Sequence, residues 1–376
     1  MIGINGQYLF KFKLGDESDF IREEDLHNFR LIEDAGNVLP SFQIGFDTDN
    51  ENILGLLNET NKFEVSFGKD LKDDYITAPL SVATKSSNKK GNSKLEITAG
   101  GLYSALPYIQ DSRQSISGKK SAIEVIKEKV TPHFSFPDIN VQKSLDSQIW
   151  IQPNTSDKKF INELWLHADL GTSFPAIGIT SGGEFLIKDM VKEGTKPFLW
   201  KFTHNPKKAT DLQYDGDYSV NDQTGFINSW VGYGREKTVY DIESGAVAQI
   251  CEISEPVVAL TNKLARLAEI EKRFTSTGVS NENTHANYWK SALHNLTNLA
   301  SLSASAITLS FQNQFVPIKL LDQVMFTDED VGNNSQSSAL TSGLYFVSKV
   351  SRNLGNRQFS TVVILTRESL NEIKTV

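Results

Sequence analysis

The chain has 376 residues, 39% of them hydrophobic and 22% charged, with a formal net charge of −8. This length allows about two to four domains, and the composition fits a folded chain with a real core. The acidic excess argues against nonspecific binding to nucleic acid or to an anionic membrane. One cysteine, Cys251, cannot form an internal disulfide; its apolar setting reads as a buried structural thiol. The N-terminus shows no basic start, apolar core and cleavage site of a signal peptide. No apolar run approaches the ~18 residues of a membrane span, so a cytoplasmic protein, or one assembled in a cytoplasm, is expected.

In chain order, residues 7–14 alternate Tyr8, Phe10, Phe12 and Leu14 against polar or mixed partners and predict a strand. Residues 38–49 put Phe42, Ile44 and Phe46 on one face, and 61–70 do the same with Phe63, Val65 and Phe67. Residues 75–100 read as a hairpin with its turn at 88–92, where Asn and Gly supply positive φ. A helix follows over 121–130, with Ile123, Ile126 and Val130 on one stripe and Pro132 beyond its end. Another lies within 154–171, with an N-cap at 155–157, an apolar face of Phe160, Ile161, Leu164 and Ala168, and Gly171 as its stop. Residues 174–190 form a short hairpin around Ser181-Gly182-Gly183, and 225–242 read as strand with a Gly-rich turn. Helices are predicted over 256–274, opened by Pro256 and striped by Leu260, Leu264, Leu267 and Ile270/Phe274, and over 284–303.

The tail then repeats the start. Residues 305–314 carry Ile307, Leu309 and Phe311; 318–330 carry Leu320 or Leu321, Val324 and Phe326 and end in an acidic turn. A long hairpin, 344–352 and 359–367, turns at Gly355-Asn356. Strand, connector, short aromatic strand, acidic turn and long hairpin therefore occur twice, which points to an internal duplication. The final hairpin is apolar on both faces, where a strand with one wet face would alternate cleanly; it calls for cover on both sides.

Signatures of chemistry are thin. The histidines, His27, His133, His167, His204, His285 and His294, include no i,i+4 metal pair and no cysteines at zinc spacing. His167 and Asp169 sit two apart in a helical segment and point to different faces. Neither the Gly-rich stretch at 232–237 nor Ser181-Gly182-Gly183 is a phosphate loop, and no nucleophile elbow exists. Asp328, Glu329 and Asp330 read as a solvated turn rather than acid and base, and lack the alternating ligands of a calcium loop. The expectation is no catalytic, cofactor-binding or metal site, and hence a subunit of an assembly.

Residues 149–190, 227–234 and 339–369 resemble the baseplate hub proteins of contractile-tailed bacteriophages, most closely the T4-like hub without a fused spike. Related proteins are the hubs of other tails and the base of type VI secretion spikes. The resemblance spans nearly the whole chain in order of elements and rests on no single diagnostic motif. It implies an α+β, β-dominated fold with two related β-barrel, tail-tube-like domains and intervening α/β and helical domains. The expected division is 1–105 for the first barrel, 106–200 for an α/β middle domain, 201–245 plus 300–376 for the second barrel, and 246–299 for an inserted helical segment. It further implies a non-enzymatic homotrimer in the virion tail baseplate, assembled in the host cytoplasm. The trimer would adapt a sixfold tail tube to a threefold spike around an axial channel. Its partners would be the tail tube protein, a separate spike or tail lysozyme protein and other baseplate proteins, without specific nucleic-acid binding. The outer face of the final hairpin would then meet the lumen wall or a neighbouring subunit. Two other readings compete: a tail-associated cell-wall hydrolase with a carboxylate pair in a cleft, and a receptor- or carbohydrate-binding tip protein with a platform drawn from Trp150, Trp165, Trp200, Trp230 and Trp289.

Overall fold

The computed structural model describes residues 2–4, 8–15, 17–18, 21–22, 24–57, 63–68, 75–91, 94–136, 144–223, 234–253, 272–281, 284–328, 340–355 and 358–371. The protein is α+β and β-dominated. Fifteen strands join one sheet, and within it two six-stranded arrays repeat the same pairing scheme. The first runs Tyr8–Leu14, Phe63–Gly68, Tyr75–Lys90, Lys94–Tyr103, Ser41–Thr48, Leu26–Asp34. The second runs Trp200–Thr203, Gln323–Phe326, Gly343–Gly355, Gln358–Arg367, Ser305–Gln312, Tyr218–Asp222.

In both arrays the first hairpin strand takes the short aromatic strand and the second takes the strand before it. Both hairpins carry a bulge at the corresponding place, between Val82 and Thr84 and between Val347 and Lys349. One difference stands out: Trp200–Thr203 pairs parallel to Gln323–Phe326, whereas Tyr8–Leu14 pairs antiparallel to Phe63–Gly68. No closed barrel is found among the described residues.

The period-2 patterns bury the faces they predict. Phe10, Phe12, Phe42, Ile44, Phe46, Phe63, Val65 and Phe67 fill a first core, where Phe12 meets Phe29 edge-on at 5.4 Å. Ile307, Leu309, Phe311, Val324 and Phe326 fill a second. The final hairpin belongs to both. Phe346, Val347, Val350, Val363 and Leu365 pack in the second core, while Leu354 and Phe359 near the tip pack in the first, with Phe359 5.6 Å from Phe10. Its other face holds Val362 and Ile364, both half-buried. Ile364 lines a cavity of about 360 Å³ with Trp165 and Leu299 of the same chain.

A third core lies between the arrays and the helices. Ala122–Val130 starts at a capping box, in which Glu124 N–H donates to Ser121 Oγ and Ser121 N–H donates to the Glu124 carboxylate at 2.8 Å. Asp157–His167 is capped by Ser156, whose hydroxyl accepts from Lys159 N–H. Pro175–Ile179 and Phe185–Asp189 make the short hairpin read from the sequence. A ribbon of Ser112–Lys120 and Gln148–Ser156 was not anticipated. The span 246–299, expected to be helical, contains the strands Val247–Ile253 and Lys272–Ser280, which flank Gly234–Asp241 in a three-stranded sheet. The predicted helix over 256–274 falls largely outside the described residues, and its last residues are strand because they pair parallel to Gly234–Asp241. Tyr288–Leu302 is the helix expected over 284–303, and it packs on this sheet and on Asp157–His167. Cys251, on Val247–Ile253, is half-exposed rather than buried, because alternation turns it away from the face that the helix covers.

Val363 and Leu365 are fully buried. Either changed to Asp puts an unpaired charge in an apolar site and should cost about 3–5 kcal/mol or abolish soluble expression. Asp at exposed Val247 should cost under about 1 kcal/mol. Urea midpoints of the three variants check this; near-native midpoints at 363 and 365 would mean that the hairpin is peripheral.

Candidate functional site: the seam between the two arrays

The two arrays are joined along one strand. Gly343–Gly355 pairs on one edge with Gln358–Arg367 along most of its length. Its other edge is divided: Gly343 to Phe346 face Gln323–Phe326, and Lys349 to Gly355 face Leu26–Asp34 of the first array. Strand alternation would aim Glu33 and Arg352 inward with their apolar neighbours, and both are buried, with side-chain exposures of 2% and 3%. Arg352 Nη1 donates to Glu33 Oε2 at 2.9 Å and Nη2 to the Ile318 carbonyl at 3.4 Å. The guanidinium also lies over the Phe67 ring, 5.5 Å from its centroid.

The second carboxylate oxygen of Glu33 accepts from Ser181 N–H at 2.5 Å, in the turn of the short central hairpin. Next to it, Gly36 N–H donates to the Ile177 carbonyl at 2.6 Å and Ala35 N–H to that of Ser348 at 2.7 Å. At the rim, Lys349 pairs with Asp34 at 3.0 Å. Both arrays and the central hairpin thus meet at one carboxylate. Sequence reading missed Glu33 and Arg352; the available signal was a charge of each sign at an inward position of an apolar alternation.

A second buried arginine closes the far end of the hairpin. Arg367 donates to the Leu340 carbonyl at 2.7 Å, and its guanidinium covers the Tyr345 ring at 4.3 Å. Tyr345 Oη donates to the Thr341 carbonyl, and burial raises its phenol pKa above the ordinary range.

The residues considered for chemistry do not converge. A polar cavity of about 550 Å³ is lined by Asp169, Glu252, Asn287, Lys290 and His294, among others. Its carboxylates have intrachain partners: Asp169 accepts from Asn287 at 3.0 Å and from Gly171 N–H at 2.9 Å, and Glu252 faces His294 at 3.4 Å and Lys290 at 3.8 Å. Asp169 lies past the end of the helix that carries His167. Among the described residues no cluster of three His, Cys, Asp or Glu could hold a metal, and no helix is long and apolar enough to cross a membrane. The tryptophans are dispersed. Trp150 donates to the Lys120 carbonyl, Trp165 to that of Pro175 and Trp289 to that of Val279. Trp200 stands in the second array, and Trp230 lies outside the described residues. Of the acidic turn, Asp328 accepts from Tyr218 Oη at 2.7 Å; Glu329 and Asp330 lie outside the described residues.

His167 stacks on Tyr288 with ring centroids 3.5 Å apart and its Nδ1 lies 2.8 Å from the Tyr288 carbonyl. Burial pushes its pKa down from 6.5 to about 4.

The seam and this histidine generate two expectations. Arg352→Met leaves the Glu33 carboxylate buried without its cation and should cost about 3–5 kcal/mol, while the double change Glu33→Leu with Arg352→Met should cost much less. Equal losses for the single and double variants in chemical denaturation would refute the coupling. The neutral folded form of His167 contributes stability that is complete above pH 6.5 and lost as pH falls toward 4. The loss should amount to about 3 kcal/mol. His167→Gln should flatten that part of the stability–pH curve, and an unchanged slope would remove His167 as its source.

No known family and no curated protein matches the sequence. Solved structures match the fold over nearly the whole chain. A tail protein from Neisseria meningitidis aligns with a TM-score of 0.61 at 11% identity, covering 96% of this chain and 97% of that one. The 43 kDa tail protein of prophage MuSo2 from Shewanella oneidensis aligns with a TM-score of 0.60 at 9% identity, covering 96% and 98%. A component of the Escherichia coli type VI secretion system, described as structurally similar to the T4 bacteriophage tail proteins gp27 and gp5, aligns at 0.50 and 9% identity, covering 97% and 79%. By fold, this chain stands with phage tail proteins and type VI secretion components.

Proposed function

We propose that this protein is the hub of a phage-type tail baseplate, a homotrimer that adapts a sixfold tail tube to a threefold spike around an axial channel. The observation that carries the reading is the repeated array: strand order, hairpin pairing and bulge position recur in the two halves of one chain. A closed ring of three such chains presents six near-equivalent units, which is what a threefold object needs to meet a sixfold one. Likeness in fold to tail proteins over nearly the full length supports the same reading.

In this reading the two arrays are barrel-like, tube-related domains, 1–105 and 201–245 with 300–376. Residues 106–200 form the middle domain, and 246–299 are an insertion that mixes strand and helix. The partners are the tail tube protein, a spike or tail lysozyme protein and other baseplate proteins. The protein works in the virion tail after assembly in the host cytoplasm and carries no enzyme activity of its own. Neither the hydrolase nor the sugar-platform reading gains an observation in its favour: the cavity carboxylates serve intrachain contacts, and no tryptophan platform forms among the described residues.

Light scattering of the purified chain, alone and co-expressed with tube and spike proteins, should give three times 41.9 kDa per hub. A monomer at micromolar concentration that does not shift with those partners would refute the hub reading.

A further inference from the structure

The three-stranded sheet is held to residues 144–169 by the helix Tyr288–Leu302 and the loop before it. The strands Gly234–Asp241, Val247–Ile253 and Lys272–Ser280 pack on one another and on that helix. The polar cavity of about 550 Å³ has Glu252 and Ile253 of the sheet on one wall and residues 168–174 on another, so little apolar surface joins the two there. The C-terminal end of the helix is set in the second core through Leu302, with Leu299 packed against it. The N-terminal end is fastened by polar contacts. His285 N–H donates to Gln148 Oε1 at 2.8 Å, Asn287 Nδ2 to Asp169 at 3.0 Å and Tyr288 Oη to Glu163 at 3.3 Å. One turn further on, Asn295 Nδ2 donates to the Leu166 and Ala168 carbonyls at 2.8 and 2.9 Å. Segments held by few apolar contacts are the ones that open locally without global unfolding.

Two imidazoles sit at the fastened end. His167 stacks on Tyr288 and meets Trp289 edge-on at 5.3 Å; His285 meets Tyr288 edge-on at 5.6 Å. A carbonyl only accepts, so the His167 nitrogen facing Tyr288 carries the proton of a neutral ring. The Lys237 ammonium stands over the Trp289 ring at 4.1 Å and faces His167. The acids that face His285 are Asp146 and Asp169. Asp146 already accepts from Ala122 N–H at 3.0 Å and from Asp169 N–H at 2.9 Å. Among the described residues, the histidines at ion-pair distance from a carboxylate are His27, His133 and His294. A proton added to His167 therefore places a charge between aromatic rings, near a lysine and a second imidazole, with no carboxylate in contact.

We propose that His167 and His285 form an acid-operated latch: protonation frees the N-terminal end of Tyr288–Leu302, with the sheet it carries, from residues 144–169, while the end at Leu302 holds. Burial lowers the pKa of both rings. That of His167 falls from 6.5 to about 4 against the pull of its Tyr288 hydrogen bond, with His285 and Lys237 adding to the shift; Asp146 and Asp169 only partly offset the effect at His285. In the open form the rings return to water and bind protons near pH 6.5. The closed form is therefore fully favoured above that pH and loses ground as pH falls. Glu163 works the other way. Burial raises its pKa, so its protonation favours the closed form at lower pH. Between pH 7.5 and 5.5 the histidines dominate, and His167 alone raises the opening equilibrium about tenfold. The latch does not depend on the hub reading.

The test is thiol labelling of the full chain with a pyridyl disulfide, read residue by residue by peptide mass. Ser291, buried on the helix face that meets residues 168–174, becomes the reporter as Ser291→Cys. Ser305, buried at the start of Ser305–Gln312, becomes the control for global unfolding as Ser305→Cys. The half-exposed Cys251 supplies the reference for the pH dependence of the reagent itself. From pH 7.5 to 5.5 the rate at 291, relative to Cys251, should rise at least about tenfold, and the rate at 305 should not. His167→Gln, whose amide can still donate to the Tyr288 carbonyl, should remove most of the rise, and His285→Gln part of it. Below pH 5.5, Glu163→Gln should steepen it. A flat rate at 291 overturns the latch. An equal rise at 305 overturns it in favour of global acid destabilisation. A rise that survives both histidine variants removes the histidines as the sensor and overturns it too.

Discussion

The structure depends on a buried ion pair that joins three parts of the chain. Taking Glu33 and Arg352 out of water costs several kcal/mol per charge, which their attraction offsets only if the geometry is good and the remaining polar atoms find partners. Here they do: the carboxylate holds Arg352 and Ser181 N–H, and the guanidinium reaches Ile318 and the Phe67 ring. These contacts are non-local; Glu33 and Arg352 are 319 residues apart in sequence. The pair thus does little for either array alone and acts chiefly on how the arrays meet. A one-residue slip along the seam would turn one of the two charges to the face opposite its partner, so the pair fixes register as well as proximity. This is why two arrays with separate cores behave as one sheet.

The same dependence explains what the sequence made legible. Strands whose inner face is uniformly apolar, such as those carrying Phe42, Ile44 and Phe46 or Ile307, Leu309 and Phe311, could be read directly, because a half-buried strand imposes period two. The repeat was readable for the same reason. Leu26–Asp34 was not read: His27, Asn28, Arg30 and Glu33 obscure its alternation, and the inward Glu33 has meaning only against a residue near the other end of the chain. The Ser112–Lys120 ribbon was missed because its outward face carries Ile116 and its partner's carries Ile149 and Ile151, all exposed, while Gln148 and Gln152 face inward. That inverts the usual rule. Helix 122–130 was legible almost to the residue, since an apolar stripe and a proline just past the end are both local signals. The two-sided apolar character of the last hairpin was legible as a demand for cover. Its source was not: one end of the hairpin serves one core and its tip another, and no local pattern encodes that division.

The functional surface shows the same asymmetry. An interface built from strand edges leaves little trace in a single sequence. Main-chain groups make the contact, and side chains only have to permit it. Exposed strand edges are also a hazard, because any other edge can pair with them. Inside the chain, where the two strands of the internal seam are always together, that hazard is met by a buried ion pair, Glu33 with Arg352, which would be costly to expose and so holds the strands in one register.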